Sequence, residues 1–323
     1  MHIERYRESQ QPAWDDFVRK SKNGTFLFFR DYMDYHRDRF DDYSLMVIHD
    51  HQIVALLPAN RKDESILSHG GLTYGGFITD ETMKLPKMLE VFDACCQHFQ
   101  ADGCSTLVYK TIPFLYHRIP AEEDRYALFL GGAHLLRRGV STVTDGRCRP
   151  SFQERRRRGA TKAAHNGLMV KQSEDWPAYW SLLTQRLYAV YKSAPVHSLE
   201  EIEKLRQRFP ANIKLFAACE GDAIVGGVVI YETDRVSRAQ YIAASERGQA
   251  LGALDLIFTE LLAGEYSEKP YFDFGTSDEE DGRRVNRGLI DQKEGYGARV
   301  VAHDHYEMRL DAWKPGQFAQ AMQ

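Results

Sequence analysis

The chain has 323 residues, 43% of them hydrophobic and 27% charged, with a formal net charge of −4 at pH 7. That length fits two domains of medium size, and that composition supplies real cores. The charge balance excludes a global pull toward nucleic acid or an anionic membrane, so any anion site must be local. No uninterrupted apolar run approaches a membrane span, and the opening residues, charged from the start, lack the apolar stretch of a secretory signal. The cysteines are Cys95, Cys96, Cys104, Cys148 and Cys219, odd in number and without a CxxC pair. This is the usage of reduced thiols and gives the expectation of a cytoplasmic protein.

Taken in chain order, the first predicted element is an aromatic-rich helix near Trp14, with Phe17 and Val18. Residues 25–29 and a second helical stretch through Tyr32 and Tyr35 follow. A hairpin is predicted next, from strands at 43–48 and 53–57 around a turn at 49–52, with Pro58 confined to a strand end. The Gly-rich segment 69–77, a helix over about 82–99 and a strand at 105–109 complete the first half. The second half repeats this order. Its first helix runs from about Pro177, suited to a first turn, to Tyr191. Trp180, Leu183, Leu187 and Tyr191 share one face at helical spacing. The loop 192–197 leads to a helix opened by the capping box Ser198-Leu-Glu-Glu201. A hairpin (213–218 and 224–230), a strand at 239–243, a glycine-bearing loop at 245–253, a helix ending near Leu262 and a strand at 271–274 come after. Two α/β units built on mixed sheets are expected. The join is placed at 146–152, giving domains 1–148 and 149–310 and a tail 311–323.

Several features can carry chemistry. A strand that ends in a glycine loop and opens a helix leaves backbone N–H groups free for a phosphate. Here Gly248 and Gly252 stand beside Arg247, although a plain strand-to-helix turn reads the same way. Gly295 and Gly297 open backbone conformations closed to residues with a Cβ and let Lys293 project into a cleft. An ammonium there can neutralise a phosphate or an oxyanion; Lys293 and Glu294 also read as a solvated charged turn. Asp273, between Phe272 and Phe274, can act as a base with a pKa raised by burial, or pair structurally. The acidic run 278–281 solvates a turn or attracts a cation. The four arginines 155–158 point around most of a helix, so at most two serve one groove. His303, His305 and Glu307 have metal-ligand spacing but no further Cys or His partner, and no metal is expected.

The strand–loop–helix plan resembles the GNAT acyltransferases, whose loop Gln/Arg-x-x-Gly-x-Gly/Ala holds the pyrophosphate of acetyl-CoA. Gln249-Ala-Leu-Gly252-Ala-Leu254 matches the first two fixed positions and departs at Leu254. Over most of its length the chain is similar to the tandem-GNAT proteins of the Fem type. These include peptidoglycan bridge-forming aminoacyltransferases and proteins encoded with bacterial surface-sugar pathways. Trp14 and Phe17 with Thr25-Phe26 resemble that family's opening. Phe152-Gln-Glu-Arg155 through Arg158, Lys162-Ala and Asn166-Gly-Leu-Met-Val170 resemble its basic helix at the start of the second domain. Residues 288–297 resemble its Phe-Lys-x-Gly-Phe-Gly signature, with Gln292 and Tyr296 in place of the two aromatics.

The resemblance implies two tandem GNAT-like domains, each a mixed, mostly antiparallel sheet flanked by helices. It implies an acyltransferase moving an acyl group, with acetyl expected, from a CoA thioester to an amine on a small or sugar-linked acceptor of the cell envelope. The donor is then held by Arg247, Gly248, Gln249, Gly252 and Ala253. Lys293, Asp273 and Tyr306 are the catalytic candidates; His197, Tyr241 and Tyr296 are the substrate-binding ones. Tyr306 or Tyr296 is in place to protonate a departing thiolate. The absence of nucleophile motifs fits direct transfer. Two alternatives stay open. One is an aminoacyl-tRNA-dependent peptidyltransferase, binding tRNA through Arg155 to Arg158 with a steep salt dependence. The other is a catalytically silent GNAT-like binding module.

Overall fold

The computed structural model describes residues 1–319, so residues 320–323 of the expected tail lie outside the described residues. The chain forms two compact units, one of Met1–Gly139 with the chain from Ala302 onward, the other Val140–Val301. The boundary falls ahead of the expected join, because residues 141–145 pair as a strand with Tyr271–Thr276. The last strand and the tail return to the first unit instead of closing the second. The physical reason is apolar area: Met308, Leu310, Trp313 and Phe318 are all buried in the first unit's core.

In the first unit, helix Gln11–Lys20 buries Trp14, Phe17 and Val18, the i, i+3, i+4 spacing of one face. Four antiparallel strands run in the order His2–Arg5, Leu45–His49, Gln52–Leu57, Ile78–Thr79. Asp50 and His51 both take positive φ in the hairpin between the middle two, as a tight two-residue turn requires. A second group contains Thr106–Lys110, which pairs in parallel with Ser65–Leu67 and antiparallel with residues 305–309. Helix Leu85–Ala101 lies against this core through Met88, Leu89, Val91, Phe92, Cys95, Cys96 and Phe99. The tail is anchored there: the Trp313 indole N–H donates to Asp93 at 2.8 Å.

The second unit opens with α1 (Glu154–His165), β1 (Met169–Gln172), α2 (Trp176–Tyr191) and α3 (Leu199–Arg208). Asp175 caps α2 by accepting from the Ala178 N–H, and the capping box of Ser198 and Glu201 opens α3 as its sequence specifies. Strands β2 (Ile213–Glu220), β3 (Ala223–Glu232) and β4 (Val236–Ala244) follow. Then come α4 (Glu246–Leu251), α5 (Ala253–Ala263), β5 (Tyr271–Thr276) and α6 (Arg287–Glu294). The sheet order is β1-β2-β3-β4-β5 and then residues 141–145, antiparallel throughout except for β4 beside β5. This is the mixed, mostly antiparallel sheet flanked by helices that was expected. Helix α5 lies on the sheet through Leu256, Ile257, Phe258 and Leu261.

Two departures from the regular pattern bear on the site. Gln240 is an extra residue in β4, since Val229 faces Tyr241 while Ile230 faces Ala239. Such a bulge sharpens the local twist. Strand β4 pairs with β5 only over Val236–Arg238, and the two part beyond Arg238 and Asp273. The second departure concerns α2. Of the four residues expected on its apolar face, Trp180 and Leu183 are buried, Leu187 is half-buried and Tyr191 is exposed.

Candidate active site

The end of β4 borders a cavity of about 400 Å³ within the second unit. Ile242, Ala243 and Ala244 line it where β4 has left β5. The C-terminal turns of α2 supply Arg186, Leu187, Val190 and Tyr191, which explains why the apolar stripe of that helix continues past the core. The turn from α4 into α5 supplies Gln249, Gly252, Ala253, Leu254 and Asp255. Helix α6 supplies Leu289, Gln292 and Lys293, with Tyr296 just beyond it and Arg156 from α1.

Gly252 sets this geometry. Its φ is +86°, a left-handed conformation that a Cβ disfavours, and a Cβ there would lie 2.5 Å from the carbonyl oxygen of Gly159 on α1. The glycine therefore lets α1 cross close over the start of α5. Leu256 donates to Gly252 O at 3.1 Å. The N–H groups of Ala253, Leu254 and Asp255 precede that bond, so they have no acceptor within the helix. They belong to the pocket wall, at the positive end of the helix dipole.

A carboxylate already sits in that first turn. Asp255 Oδ1 accepts from Arg156 Nη1 at 2.7 Å and from Tyr296 Oη at 2.5 Å. Tyr296 is fully buried and its ring stacks on Phe274, centroids 5.6 Å apart. Burial, and then the charge of Asp255, push its phenol well above the usual range, so it is held as a hydrogen-bond donor to Asp255. Tyr296 thus fixes the wall, and its proton is committed to Asp255.

Lys293 is 6% exposed and lines the same pocket. Its ammonium donates to Gly275 O at 2.9 Å, Thr276 O at 2.7 Å and Ser277 Oγ at 2.7 Å. All three N–H bonds are thereby used, so the lysine reaches the cleft with its ammonium already bonded to the fold. Burial lowers its pKa to about 8, with the charge of Asp273 opposing and that of Arg238 adding. Of the two signature glycines, only Gly297 needs a left-handed φ, +83°; a Cβ there would meet Pro150 O at 2.2 Å.

The other sequence candidates divide. Gln249 and Ala253 line the pocket, and Gln249 donates its side-chain N–H to Ala244 O at 3.0 Å. Arg247 does not line it; this exposed side chain pairs with Glu220. Gly248 is buried against β3, where a Cβ would meet Val225 O at 2.0 Å. His197 and Tyr241 meet each other, Nδ1 to Oη at 2.5 Å, and the Trp180 indole donates to His197 O, so the pair holds the α2–α3 loop to the sheet.

Asp273 is 2% exposed and bonded to Ser141, Arg238 and the Gly275 N–H. Burial raises its pKa, but Arg238, Ser141 and Gly275 outweigh burial and hold the carboxyl below its usual range. The expected elevation is therefore reversed, which removes the reason for reading Asp273 as a base. Tyr306 belongs to the first unit, where its hydroxyl donates to Asp304 at 3.2 Å.

Asp255 and Arg186 were not singled out from the sequence, and Arg156 was read only as one member of the basic run 155–158. Arg156 carried a signal, since Ala160 and Ala163 are the apolar residues at i+4 and i+7 and both are buried. Asp255 and Arg186 carried none, as an acid in a first turn and an arginine among polar helix positions are ordinary. Among the described residues no group of His, Cys, Asp and Glu is arranged to hold a metal ion, and no helix is long and apolar enough to cross a membrane.

No protein-family model and no curated protein sequence matches this chain. Solved structures match its fold. FemX aligns with a TM-score of 0.67 at 12% identity, covering 100% of both chains. L-PGS from Bacillus licheniformis aligns at 0.61 and 13% identity, covering 96% of this chain and 94% of that one. A tandem GNAT protein from the clavulanic acid biosynthesis pathway aligns at 0.52 and 12% identity, covering 97% and 100%. The fold is that of the Fem-like, tandem-GNAT proteins.

Proposed function

We propose that the second unit is an acyltransferase whose pocket seats a phosphate-bearing acyl donor and passes the acyl group to an amine. One observation carries this reading. The opening between β4 and β5, the glycine turn into α5 and the Lys293–Tyr296 segment converge on one cavity of about 400 Å³. The unpaired edge of β4 beyond Arg238 suits an extended donor arm, which can pair with it as an added strand does. The N–H groups at the start of α5 suit the donor phosphate. The amine nitrogen attacks the acyl carbon, the bond from that carbon to the donor sulfur breaks, and water takes the amine proton. Lys293 contributes a fixed positive charge beneath the developing oxyanion and acts through its field, since its N–H bonds hold the turn 275–277. Asp273 positions the same turn through the Gly275 N–H.

Acetyl-CoA is the first donor to test, and a sugar-linked amine of cell-surface polysaccharide synthesis in the cytoplasm the first acceptor; both rest on the GNAT and Fem-type resemblance. Calorimetric titration with acetyl-CoA should show binding to the wild type and weaker binding to Lys293→Ala, with circular dichroism confirming the variant's fold. A wild type that does not bind sinks the CoA reading. The second reading, a charged tRNA as donor, is favoured by the exposed Arg155, Arg157 and Arg158 on α1 beside the pocket residue Arg156. It requires binding that falls steeply with salt.

A further inference from the structure

The pocket carries more positive charge than its own groups neutralise. Arg156, Lys293 and Arg186 line it, against one carboxylate, Asp255. Arg156 is paired to that carboxylate, and Lys293 is spent on three neutral acceptors. Arg186 is half-buried, and among the described residues it has neither a hydrogen bond nor an ion pair. A half-buried guanidinium with no partner, in a chain of net charge −4, is a recognition element for an anion.

Its place in the fold says which anion. The donor phosphate is already offered the N–H groups at the start of α5. Arg186 stands on a different element, α2, with Val190 one turn further along and Leu187 and Tyr191 beside it on the same wall. Lys192 then turns the chain, at a φ of 55°, into the loop that leads to His197. Resting on the acyltransferase reading, we infer that Arg186 anchors the acceptor, and that the acceptor is an amine carrying a phosphate group. The guanidinium fork takes two phosphate oxygens, and the apolar wall of Leu187, Val190 and Tyr191 packs against the carbon skeleton between phosphate and amine.

The test uses the full chain and three probes: glucosamine 6-phosphate, glucosamine and CoA, each titrated calorimetrically. The wild type should bind the phosphorylated amine roughly 10- to 100-fold more tightly than glucosamine, the range expected for hydrogen bonds to a charged group. Arg186→Ala should erase that preference, Arg186→Lys should keep part of it, and both should leave CoA binding and the melting temperature unchanged. A wild type with no preference for the phosphorylated amine overturns the inference. So does an Arg186→Ala variant that keeps the preference, or one that loses CoA affinity to the same degree. CoA that fails to bind while the phosphorylated amine still depends on Arg186 sinks the donor reading and leaves the anchor standing.

Discussion

Replacing Gly252 with alanine tests the crossing of α1 over α5, on which the pocket wall depends. Two costs add. The residue holds φ at +86°, and an L side chain in that conformation costs about 1–2 kcal/mol. Its Cβ would also lie 2.5 Å from Gly159 O and 3.0 Å from Gly159 C, both backbone atoms of a helix that cannot swing aside cheaply. Overpacking of that kind costs about 1–3 kcal/mol. Gly167 provides the control, with a φ of +78° and nothing within 4 Å of a Cβ, so Gly167→Ala bears only the first cost. Urea unfolding followed by circular dichroism should therefore show Gly252→Ala less stable than Gly167→Ala by about 1–3 kcal/mol. Relieving the clash moves α1 and breaks the Arg156–Asp255 pair, so acetyl-CoA binding should fall in Gly252→Ala alone. Equal losses of stability in the two variants would refute the close-crossing argument.

Two further predictions concern buried charge. Burial holds the imidazoles of His36 and His117 near pKa 4 and that of His69 near 3, against an ordinary value of 6.5. They are neutral in the fold, whereas the unfolded chain takes up their protons below about pH 6.5. Their contribution is full above that pH and is lost as pH falls, by up to about 1.4 kcal/mol per pH unit for each histidine down to about pH 4. His36→Phe should flatten the decline of the urea midpoint between pH 6.5 and 5; an unchanged slope rules His36 out. Asp255→Asn strips the charge bonded by Arg156 and Tyr296 and leaves a largely buried guanidinium uncompensated. It should cost about 2–4 kcal/mol in thermal unfolding, and Arg156→Met added to it should restore part of the loss. A double variant as unstable as the sum of the two singles would show that the groups are not coupled.

What could be read from the sequence was local. Ser198 and Glu201 specify their helix start within four residues, and Trp14, Phe17 and Val18 mark a buried face within five. Gly252 was read in the loop between a strand and a helix; it opens α5, with the short helix α4 between it and β4, and the pocket is found there. Other features rest on partners far along the chain. Asp273 has aromatic neighbours in sequence, which suggest a raised pKa, but its charge is set by Arg238 and Ser141, 35 and 132 residues away. The partners of Lys293 could not be read, because the carbonyls of Gly275 and Thr276 that hold it belong to a turn whose shape no short pattern encodes. The stripe Trp180, Leu183, Leu187, Tyr191 has the right period for a helix, but periodicity cannot say where core ends and cavity begins.

The return of the last strand bears on how the molecule is made. The second unit is one continuous segment, Val140–Val301, made in full before residues 308–318 are synthesised. The first unit is begun earlier and finished later, because Met308, Leu310, Trp313 and Phe318 are part of its core. A ribosome therefore emits the amino-terminal unit with its core open, and that core stays open until residues 308–318 have been made. A stop codon a few residues after Val301 would damage the unit that was translated first.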